Sequence, residues 1–521
     1  MSVVNINRRG VLASVGTLAA IVALGIRPED VLSADNDTLK VRMNGAMESL
    51  DPGYFPGALS EMAVLWACMP RLAVTEKSGS QSWGWKPSEY VENIAEVDAT
   101  HINFTLKPNL QWSGNLGELT AEDVKYSFER TAKSDYSSHW PTLDHVEVHD
   151  KYRGAIVLKS PFVGTFLLGI ATFSGTILPK VAMMKLKDQK FTTELPAQLG
   201  PYSLTSWIQK EKAILSRNSN WTGSRPVFSE IVMLEIDDPK AAELAFEAHE
   251  VQLTDISLSA AARYKKSAPS GAKLIQVPGP FYAWMGMNTQ NPKLKDIRIR
   301  KAIQRAVDVD SVLQGAYYGA SPKSFGVIPP GIVGYRDHAN YSFDPAQARR
   351  LLAESGVPNL TLSLVVQSSE PAHVAAAQII QSNLSDVGIQ VNIVPTDSGL
   401  FWDLGQESKG DRWKTLELWI MQYACAPDPS DAIAWFRKDQ VGIWNWERWT
   451  DPEFEKLWAE GLVESDTAKR AAIYIRMQDI MENTGAYVWL TFSPLFNVTD
   501  GKVQPVFDPY GAMLPESFAL S

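Results

Sequence analysis

Apolar and polar residues alternate in several short segments of the chain, and a period of two is typical of half-buried β-strands. The clearest segment is H-I-N-F-T-L-K at residues 101–107. Alternation or short apolar runs bounded by turn residues also predict strand regions at residues 39–43, 202–217, 360–367 and 389–394.

A different spacing, with apolar residues three or four apart, predicts amphipathic helices. In residues 119–132, Thr120 is a natural N-cap, and Asp123 stands where its carboxylate can reach back to the cap. Val124, Phe128 and Thr131 form the stripe that this helix is expected to bury.

Further helices are predicted at residues 296–306, 345–356, 374–387, 452–462 and 467–484. The second of these has a complete set of end signals, with Asp344 as N-cap, Pro345 in the first position and Gly356 at the end. Strand, helix and strand follow one another over residues 360–394, which predicts a βαβ unit and an α/β protein with a parallel sheet.

Composition limits the class of protein. A chain of 521 residues is expected to form two or three domains, at about 100–200 residues each. The net charge of −10 argues against nucleic acid and anionic membrane surfaces as partners. Two cysteines without a C-x-x-C motif provide neither a disulfide framework nor a zinc site.

Tryptophan is frequent, with 17 residues in the chain. Its ring offers a flat apolar surface and one N–H donor, which suits a ligand pocket as well as a core. Eight tryptophans fall in one region and are Trp402, Trp413, Trp419, Trp435, Trp444, Trp446, Trp449 and Trp458.

The first 34 residues are predicted to be an export signal rather than part of the fold. Arg8 and Arg9 precede an apolar segment at residues 11–26, which is short for a bilayer span of about 20 residues. The arginine pair resembles a twin-arginine signal, and Ala34 is the expected cleavage position. The mature chain is therefore predicted to be soluble in the periplasm, with an uncleaved membrane anchor as the alternative.

A search for catalytic and metal-binding motifs is negative. The chain contains no G-x-S-x-G, no H-E-x-x-H, no Walker P-loop and no G-x-G-x-x-G after a strand. His145 and His149 are spaced like a helical metal pair, but V-E-V-H alternates like a strand, which favours a solvated surface. The sequence predicts that the protein is not an enzyme and holds neither metal nor cofactor.

Eight segments in order resemble the extracytoplasmic solute-binding proteins of family 5, which feed ABC importers for peptides, nickel complexes and opines. The most specific is residues 102–130, where an F-T-L-K strand precedes a T-A-E-D-V helix. The others are S-L-D-P (49–52), L-G-P-Y-S-L-T-S-W with R-N-S-N-W (199–207 and 217–221), M-N-T-Q-N-P to A-V-D (287–308), Y-Y-G-A-S-P (317–322), I-P-P-G (328–331), D-P-A-Q-A-R-R-L-L-A-E-S-G (344–356) and A-P-D-P (426–429).

The resemblance implies an α/β fold, the two-lobed periplasmic-binding-protein fold with two crossover strands and an extra subdomain in lobe I. Lobe I would comprise residues 36–280 and 490–521, with the subdomain at about 70–200, and lobe II residues 281–489. Such a protein encloses a small or short oligomeric solute by hinge closure. Its implied partners are ABC permease subunits, and it is expected to be a monomer.

The crossover strands are expected in two apolar runs, at residues 282–287 and 488–492. These runs stand where the resemblance places the connections between the lobes.

The stretch Y-A-C-A-P-D-P-S-D-A-I-A-W-F, residues 423–436, bears on the ligand. Pro427 and Pro429 predict a rigid loop rather than a helix interior. In peptide-binding members of the family, an aspartate three positions before the D-P dipeptide pairs with the peptide's ammonium group. That position is Cys425 here, and a neutral thiol cannot offset the several kcal/mol that a buried ammonium costs.

The missing aspartate predicts that the ligand is not an ordinary peptide with a free amino terminus, unless Asp428 or Asp431 substitutes. Asp428 is better explained as a structural residue that caps N–H groups of the turn. By resemblance, the ligand could be an opine-like conjugate or an oligosaccharide. The alternative is a peptide-binding protein that uses another acidic residue for the ammonium group.

Candidate ligand contacts lie in segments that border the cleft in relatives. Tryptophans after the loop could stack on planar or sugar-ring faces, and an asparagine between them offers donor and acceptor groups. The segment after S-L-D-P and the proposed crossover supply the rest. The predicted contacts are Cys425, Trp435, Trp444, Asn445, Trp446, Trp284, Asn288, Glu61 and Trp66.

The two cysteines lie in segments that border the cleft from opposite lobes in relatives. Cys68 and Cys425 could form a disulfide if their Cα atoms came within about 7 Å. Because a bridge would hold a hinge protein shut, two separately buried thiols are the prediction.

Two other functions stay open at this point. One is an exported hydrolase that acts through Cys425, which would need a histidine base close in space. The other is a receptor that presents its ligand to a membrane sensor instead of a permease.

Overall fold

The computed structural model describes residues 37–43, 47–55, 58–78, 82–357 and 359–521. The predicted export signal lies outside these residues. The strands are β1 (Thr38–Met43), β2 (Ala73–Ser78), β3 (Ser82–Pro87), β4 (Val91–Asp98), β5 (His101–Leu106), β6 (Leu143–Val148), β7 (Arg153–Leu158), β8 (Tyr202–Ile208), β9 (Lys212–Arg217), β10 (Glu230–Glu235), β11 (Leu253–Asp255), β12 (Lys273–Met287), β13 (Thr361–Gln367), β14 (Gln390–Thr396), β15 (Leu418–Ala424), β16 (Tyr487–Thr499), β17 (Val503–Gln504) and β18 (Ala519–Leu520).

Helices connect many of the strands. They are α1 (Leu59–Cys68), α2 (Ala121–Thr131), α3 (Lys180–Met183), α4 (Pro239–Glu247), α5 (Leu258–Lys266), α6 (Ile297–Ala306), α7 (Val309–Ala316), α8 (Pro345–Ser355), α9 (Pro371–Asp386), α10 (Ser398–Asp403), α11 (Pro429–Ala434), α12 (Pro452–Val463) and α13 (Thr467–Asn483).

The main sheet has ten strands in the order β14-β13-β15-β12-β16-β11-β1-β10-β9-β8. With the lobe boundaries expected from the sequence, strands β14, β13 and β15 fall in lobe II, whereas β11, β1, β10, β9 and β8 fall in lobe I. The pairs β13–β14 and β1–β10 are parallel, and the pairs around β12 and β16 are antiparallel. The α/β fold predicted from the sequence is confirmed.

Strands β12 and β16 run through both lobes and pair with each other along most of their length. On one side of a register shift, residues 273–277 pair with residues 495–499, and on the other side residues 281–286 pair with residues 487–493. The register shifts between these two parts, at the sequence Pro278-Gly279-Pro280. These are the two crossover strands, and they include the apolar runs from which crossovers were predicted.

Gly279 is required at this register shift because the two backbones approach closely. A Cβ atom built on Gly279 would lie 1.6 Å from the carbonyl oxygen of Ser493. Only glycine allows such an approach without moving one of the strands.

Lobe I carries an additional four-stranded antiparallel sheet in the order β4-β5-β7-β6. A buried ion pair connects the helix α2 beside this sheet to the S-L-D-P segment. The Arg130 Nη1 atom donates to Asp51 Oδ1 at 2.9 Å, and the Asp51 side chain is fully buried. Two of the segments that carried the family resemblance are therefore in direct contact.

The end signals in the sequence work as predicted. The Thr120 backbone N–H donates to Asp123 Oδ2 at 2.9 Å, so the carboxylate reaches back to the cap. Gly356 ends α8 with a positive φ of 72°. The βαβ unit is confirmed by β13, α9 and β14, although α9 begins at Pro371, three residues before its predicted start.

One prediction is wrong in part, because the stretch of residues 423–436 is not a loop throughout. It begins as the end of β15, and its second half, Pro429–Ala434, is a short helix with Asp428 as its N-cap. Pro429 occupies the first helical position, where a missing N–H costs no hydrogen bond. The interpretation that neither proline lies in a helix interior holds.

His145 lies in β6, and His149 follows the end of that strand, as the alternation predicted. Both rings lie beside Glu147 at the surface, with the His149 Nε2 atom 3.2 Å from its carboxylate. No cluster of three or more potential metal ligands occurs among the described residues. Within the same ranges, none of the helices has the length and apolar composition that a bilayer-spanning segment needs.

Replacing Gly279 with alanine tests the close approach of the crossover strands. We expect Gly279→Ala to lower the free energy of unfolding by about 3 kcal/mol, because the new methyl group has to displace a backbone carbonyl. Gly399→Ala is the control, since position 399 is exposed and a Cβ there meets only a carboxylate oxygen at 3.3 Å. Urea denaturation that shows equal losses for both variants would contradict the assigned role of Gly279.

Candidate ligand-binding site

The two lobes meet at residues 425–431, the segment that follows β15. Ala426 is fully buried in the hydrophobic cluster of lobe I, whereas its neighbour Cys425 belongs to a cluster of lobe II. Close by, the Val163 N–H donates to the Leu462 carbonyl at 3.0 Å, from lobe I to lobe II. This segment therefore forms part of the boundary between the lobes, where a solute would be enclosed.

Asp428 holds this segment in place and has no capacity left for a ligand. Its carboxylate accepts from Arg470 Nη1 at 2.9 Å and from Nη2 at 3.0 Å, and the carboxylate and guanidinium are both buried. The Ser430 N–H also donates to it at 2.9 Å. The prediction that Asp428 has a structural role is consistent with these contacts.

The carboxylate of Asp431 differs from that of Asp428 in accepting a single hydrogen bond from the described residues. Its Oδ2 atom accepts from the Ala426 N–H at 2.8 Å, and no cation reaches this carboxyl among the described residues. Burial, together with the nearby charge of Asp428, raises the pKa of Asp431 to about 6. The side chain still keeps some exposed surface, so it is enclosed by protein and yet accessible.

Cys425 is a buried neutral thiol. Its Sγ atom lies 2.8 Å from the Ala426 carbonyl, and burial raises the pKa of the thiol well above its usual value. Such a thiol stays protonated and is a poor nucleophile. Cys68 is also free and buried, so the alternative of a bridge between the two cysteines is not realised.

Four aromatic side chains form a partly exposed group beside the loop. Tyr423 lies at its centre, with ring centroids 6.2 Å from Trp402, 6.2 Å from Trp435 and 6.3 Å from Trp444. All four residues are half-buried, so part of each ring is free to pack against a ligand. We call Trp402, Tyr423, Trp435 and Trp444 the aromatic wall.

Trp435 and Trp444 were predicted as ligand contacts, whereas Trp402 and Tyr423 were not. Tyr423 ends the strand that leads into the loop, a position that could have drawn attention to it. Trp402 comes from α10, more than twenty positions earlier in the chain, and no sequence signal connects it to the loop.

Trp446 and Trp284 lie beneath the aromatic wall rather than on its surface. Trp446 is 1% exposed and donates from Nε1 to the Ile443 carbonyl at 3.1 Å. Trp284 is fully buried and donates to Glu447 at 2.8 Å. Burial raises the pKa of Glu447 to about 8, so this carboxyl is mostly neutral at neutral pH.

The two predicted asparagines use their amides to hold backbone segments. Asn445 donates from Nδ2 to the Phe436 carbonyl at 2.9 Å, and Asn288 donates to the Trp413 carbonyl at 2.8 Å. Both are buried. Their contact with a ligand stays a prediction, and their visible role is to shape the loops around the site.

Lobe I contributes Glu61 and Trp66, which are also buried. Glu61 accepts from the backbone N–H groups of Glu48 and Ser49, at 2.6 Å and 3.0 Å, and thereby fixes the chain after β1. Trp66 donates from Nε1 to Asp508 at 3.0 Å. As with the asparagines, their contact with a ligand stays a prediction.

Tyr510 is a residue of this region that the sequence did not reveal. Burial and the negative charges of Asp431 and Asp508 raise the pKa of its phenol, so the hydroxyl lies within electrostatic range of the lobe II loop. No described residue makes a hydrogen bond to this buried hydroxyl. Lobe I therefore offers a hydrogen-bonding group on the side facing Asp431.

Residues 89–442 match the family described as "Bacterial extracellular solute-binding proteins, family 5 Middle". The chain belongs to this family. Its members bind small solutes or peptides outside the cytoplasm and work with ABC permease subunits. The chain is accordingly the substrate-binding component of an ABC importer and not an enzyme, as predicted.

Curated relatives are similar over most of the chain. The dipeptide-binding protein of Escherichia coli (strain K12) is 24% identical over 518 residues, which cover 92% of this chain and 94% of that protein. The probable di/tripeptide-binding protein 5 of Pseudomonas aeruginosa (strain UCBPP-PA14) is 26% identical over 426 residues, covering 75% and 78%.

Solved structures share the fold at low sequence identity. The substrate-binding protein CtaP of Listeria monocytogenes has a TM-score of 0.79 at 19% identity, covering 93% of this chain and 99% of its own. NikA of Brucella suis in complex with Fe(III)-EDTA has a TM-score of 0.78 at 20% identity, covering 93% and 100%. The prediction of a two-lobed fold is confirmed, while the residue boundaries of the lobes stay a prediction.

The ion pair of Asp428 and Arg470 can be tested by breaking it from one side. We expect Arg470→Leu to lower the free energy of unfolding by about 3 kcal/mol, because it leaves a buried carboxylate without its counter-charge. Arg476→Ala is a matched control on the same helix, α13. Its ion pair with Glu453 is exposed, and its loss should cost less than about 1 kcal/mol. If urea denaturation shows similar losses of unfolding free energy for both variants, the larger contribution assigned to the buried ion pair is contradicted.

Proposed function

We propose that this substrate-binding protein captures a short peptide or a related small solute that carries an ammonium group, and that Asp431 is the counter-charge for this group. The carboxyl of Asp431 is the observation on which the proposal rests. It lies between the lobes, accepts one backbone hydrogen bond and has no cationic partner.

The electrostatics of the loop support Asp431 over its neighbours. Cys425, in the position of the family's aspartate, is held neutral by burial. Asp428 already shares its charge with Arg470. A raised pKa shows that the Asp431 carboxylate is poorly stabilised in the ligand-free protein, and a bound ammonium would supply the missing opposite charge.

The aromatic wall suits the rest of such a ligand. Tyr423, Trp435 and their neighbours offer flat apolar surface to a side chain or ring, and this contact is tolerant of chemical detail. The Tyr510 hydroxyl adds a hydrogen-bonding group from the opposite lobe. Closure of the lobes would then bury both ends of the solute.

This proposal adopts the alternative in which another acidic residue replaces the missing aspartate. The prediction that plain peptides are excluded stays a prediction, as do opine-like conjugates and oligosaccharides. An opine retains a charged amine that could pair with Asp431, whereas a neutral oligosaccharide would leave this carboxyl without a cation. We further propose that the mature protein is a periplasmic monomer that delivers its solute to the permease of a peptide-type or nickel-type importer.

Calorimetric titration with the dipeptide Ala-Leu and with N-acetyl-Ala-Leu tests the assigned counter-charge. We expect the free amine to bind at least about thirtyfold more tightly, since removing one partner of a buried charge pair costs about 2–5 kcal/mol. Asp431→Asn should abolish this preference. Asp439→Asn is the control, because Asp439 is an exposed acid in the same lobe.

Equal affinities for Ala-Leu and N-acetyl-Ala-Leu would contradict the proposal. An unchanged preference for the free amine in Asp431→Asn would contradict it as well. Binding of neutral oligosaccharides alone would point to the sugar-binding alternative.

Binding of an ammonium ligand should also depend on pH. Because the pKa of Asp431 is about 6 in the free protein, protonation removes the counter-charge below this value. Affinity should be highest near pH 7 and fall about tenfold between pH 6.5 and about pH 5 as Asp431 is protonated. It should fall again above about pH 8, where the α-amino group of the dipeptide loses its proton. Calorimetry of the wild-type protein and of Asp431→Asn, which should lack the loss at low pH, provides the measurement.

Other groups near Asp431 do not mimic this effect. Asp428 is held by Arg470, and burial raises the pKa values of Cys425, Tyr282 and Tyr510 above the neutral range. More distant carboxyls such as Asp508, whose pKa burial raises to about 7, titrate equally in the variant. A pH dependence that persists in Asp431→Asn would therefore assign it elsewhere.

A further inference from the structure

We propose that lobe I contains a second binding site, a pocket that takes a small planar aromatic carboxylate with Arg71 as its anion-binding group. The pocket lies behind α1, between the β2–β3 hairpin and the C-terminal segment of the chain. Its volume is about 760 Å³, which is within the range of small-molecule sites. We call it the lobe I pocket.

Arg71 is a cation without an adequate partner. Its residue is 5% exposed, and its Nε atom has no hydrogen-bond partner among the described residues. The nearest carboxylate, that of Glu516, is 3.6 Å from Nη2, beyond the distance of a good charge-assisted hydrogen bond. A buried guanidinium with unmet donors is costly, and the planar fork of a carboxylate satisfies two of them together.

Two other buried polar atoms at the same pocket also lack partners. They are the hydroxyl of Tyr90, a residue 6% exposed, and the Oε2 atom of Glu516. Three unmatched polar groups from separate parts of the chain thus converge on one cavity. Because buried polar groups normally have hydrogen-bond partners, we infer that the ligand places a polar group at this end of the pocket.

Glu516 is compatible with a bound carboxylate because the protein stabilises its own negative charge poorly. Burial raises the pKa of Glu516, so its neutral form becomes accessible beside a second negative group. In that form its O–H can donate to the ligand. The Tyr90 hydroxyl can donate as well, and Arg71 supplies the positive charge.

Several aromatic rings stand among the polar and aliphatic residues of the remaining walls, and they bear on the shape of the ligand. The Arg71 guanidinium stacks on the ring of Trp66, with its Cζ atom 3.7 Å from the ring centroid. Trp83, Trp221 and Phe507 line the same cavity, and the two tryptophans are half-buried. Flat rings on several sides favour a planar apolar body attached to the carboxylate.

The lobe I pocket is separate from the site between the lobes. Its lining contains neither Asp431 nor any member of the aromatic wall, and it shares only Trp66 with the contacts predicted for the site between the lobes. The pocket can therefore be tested without reference to the solute that is imported.

The test is calorimetric titration of the wild-type protein with indole-3-carboxylate, with indole as the matched probe that lacks the carboxylate. We expect the carboxylate to bind at least about tenfold more tightly than indole. Arg71→Gln should weaken binding of indole-3-carboxylate at least about tenfold and leave binding of indole nearly unchanged. Asp431→Asn should leave the affinity for indole-3-carboxylate unchanged, because Asp431 lies in the other site.

Trp83→Ala is the second variant, since Trp83 is half-buried on a hairpin and its removal leaves the core of lobe I intact. It should weaken the binding of indole-3-carboxylate about threefold to tenfold. If Arg71→Gln does not fold, as judged by circular dichroism, this variant and the comparison with indole decide the question. The proposal is overturned if wild-type protein binds no indole-3-carboxylate up to about 10 mM. It is equally overturned by unchanged affinity in the folded pocket variants, or by loss of affinity in Asp431→Asn.

Discussion

The pairing of β12 with β16 is the constraint on which the rest of the structure depends. These strands carry backbone hydrogen bonds in both halves of the ten-stranded sheet, so the lobes share one sheet while keeping separate cores. The register shift at residues 278–280 divides each strand into a lobe I part and a lobe II part. For the proposed closure of the lobes, this register shift is the expected place of the hinge, because hydrophobic cores lie on both sides of it.

Two aspartates three positions apart show how strongly the surroundings of a side chain decide its role. Asp428 meets Arg470 and a helix N-terminus and becomes a structural anchor. Asp431 meets one backbone N–H and stays without a cation. The Arg470 ion pair of the first carboxylate holds the loop in place, and in the proposed function the second carboxylate is the one that meets the ligand. Asp428, paired with Arg470, thus positions Asp431, which has no described cationic partner. Preorganised sites require such support from neighbouring residues.

The sequence predicted those parts of the fold that local chemistry determines. Helices with complete end signals, such as α2 and α8, and the parallel pair β13–β14 lie where the patterns placed them. The short helix α11 was missed because a proline in the first helical position looks the same in sequence as a proline in a loop. The site was harder to predict from the sequence than the fold. The side-chain amides of Asn445 and Asn288 donate to backbone carbonyls, and nothing in the sequence distinguishes this role from ligand binding.

The Val163 N–H and the Leu462 carbonyl join the two lobes by a hydrogen bond between backbone atoms. A backbone N–H and a carbonyl are present whatever solute is bound, so this bond adds the same free energy to closure for every ligand. If the proposed closure forms this bond, the bond shifts the balance between open and closed forms, and with it all affinities by one common factor, but it cannot rank solutes. Selectivity has to arise inside the cleft, while the readiness to close is set at its rim. Substitutions inside the cleft could therefore change which solute is preferred, while this backbone bond contributes equally to the capture of every solute.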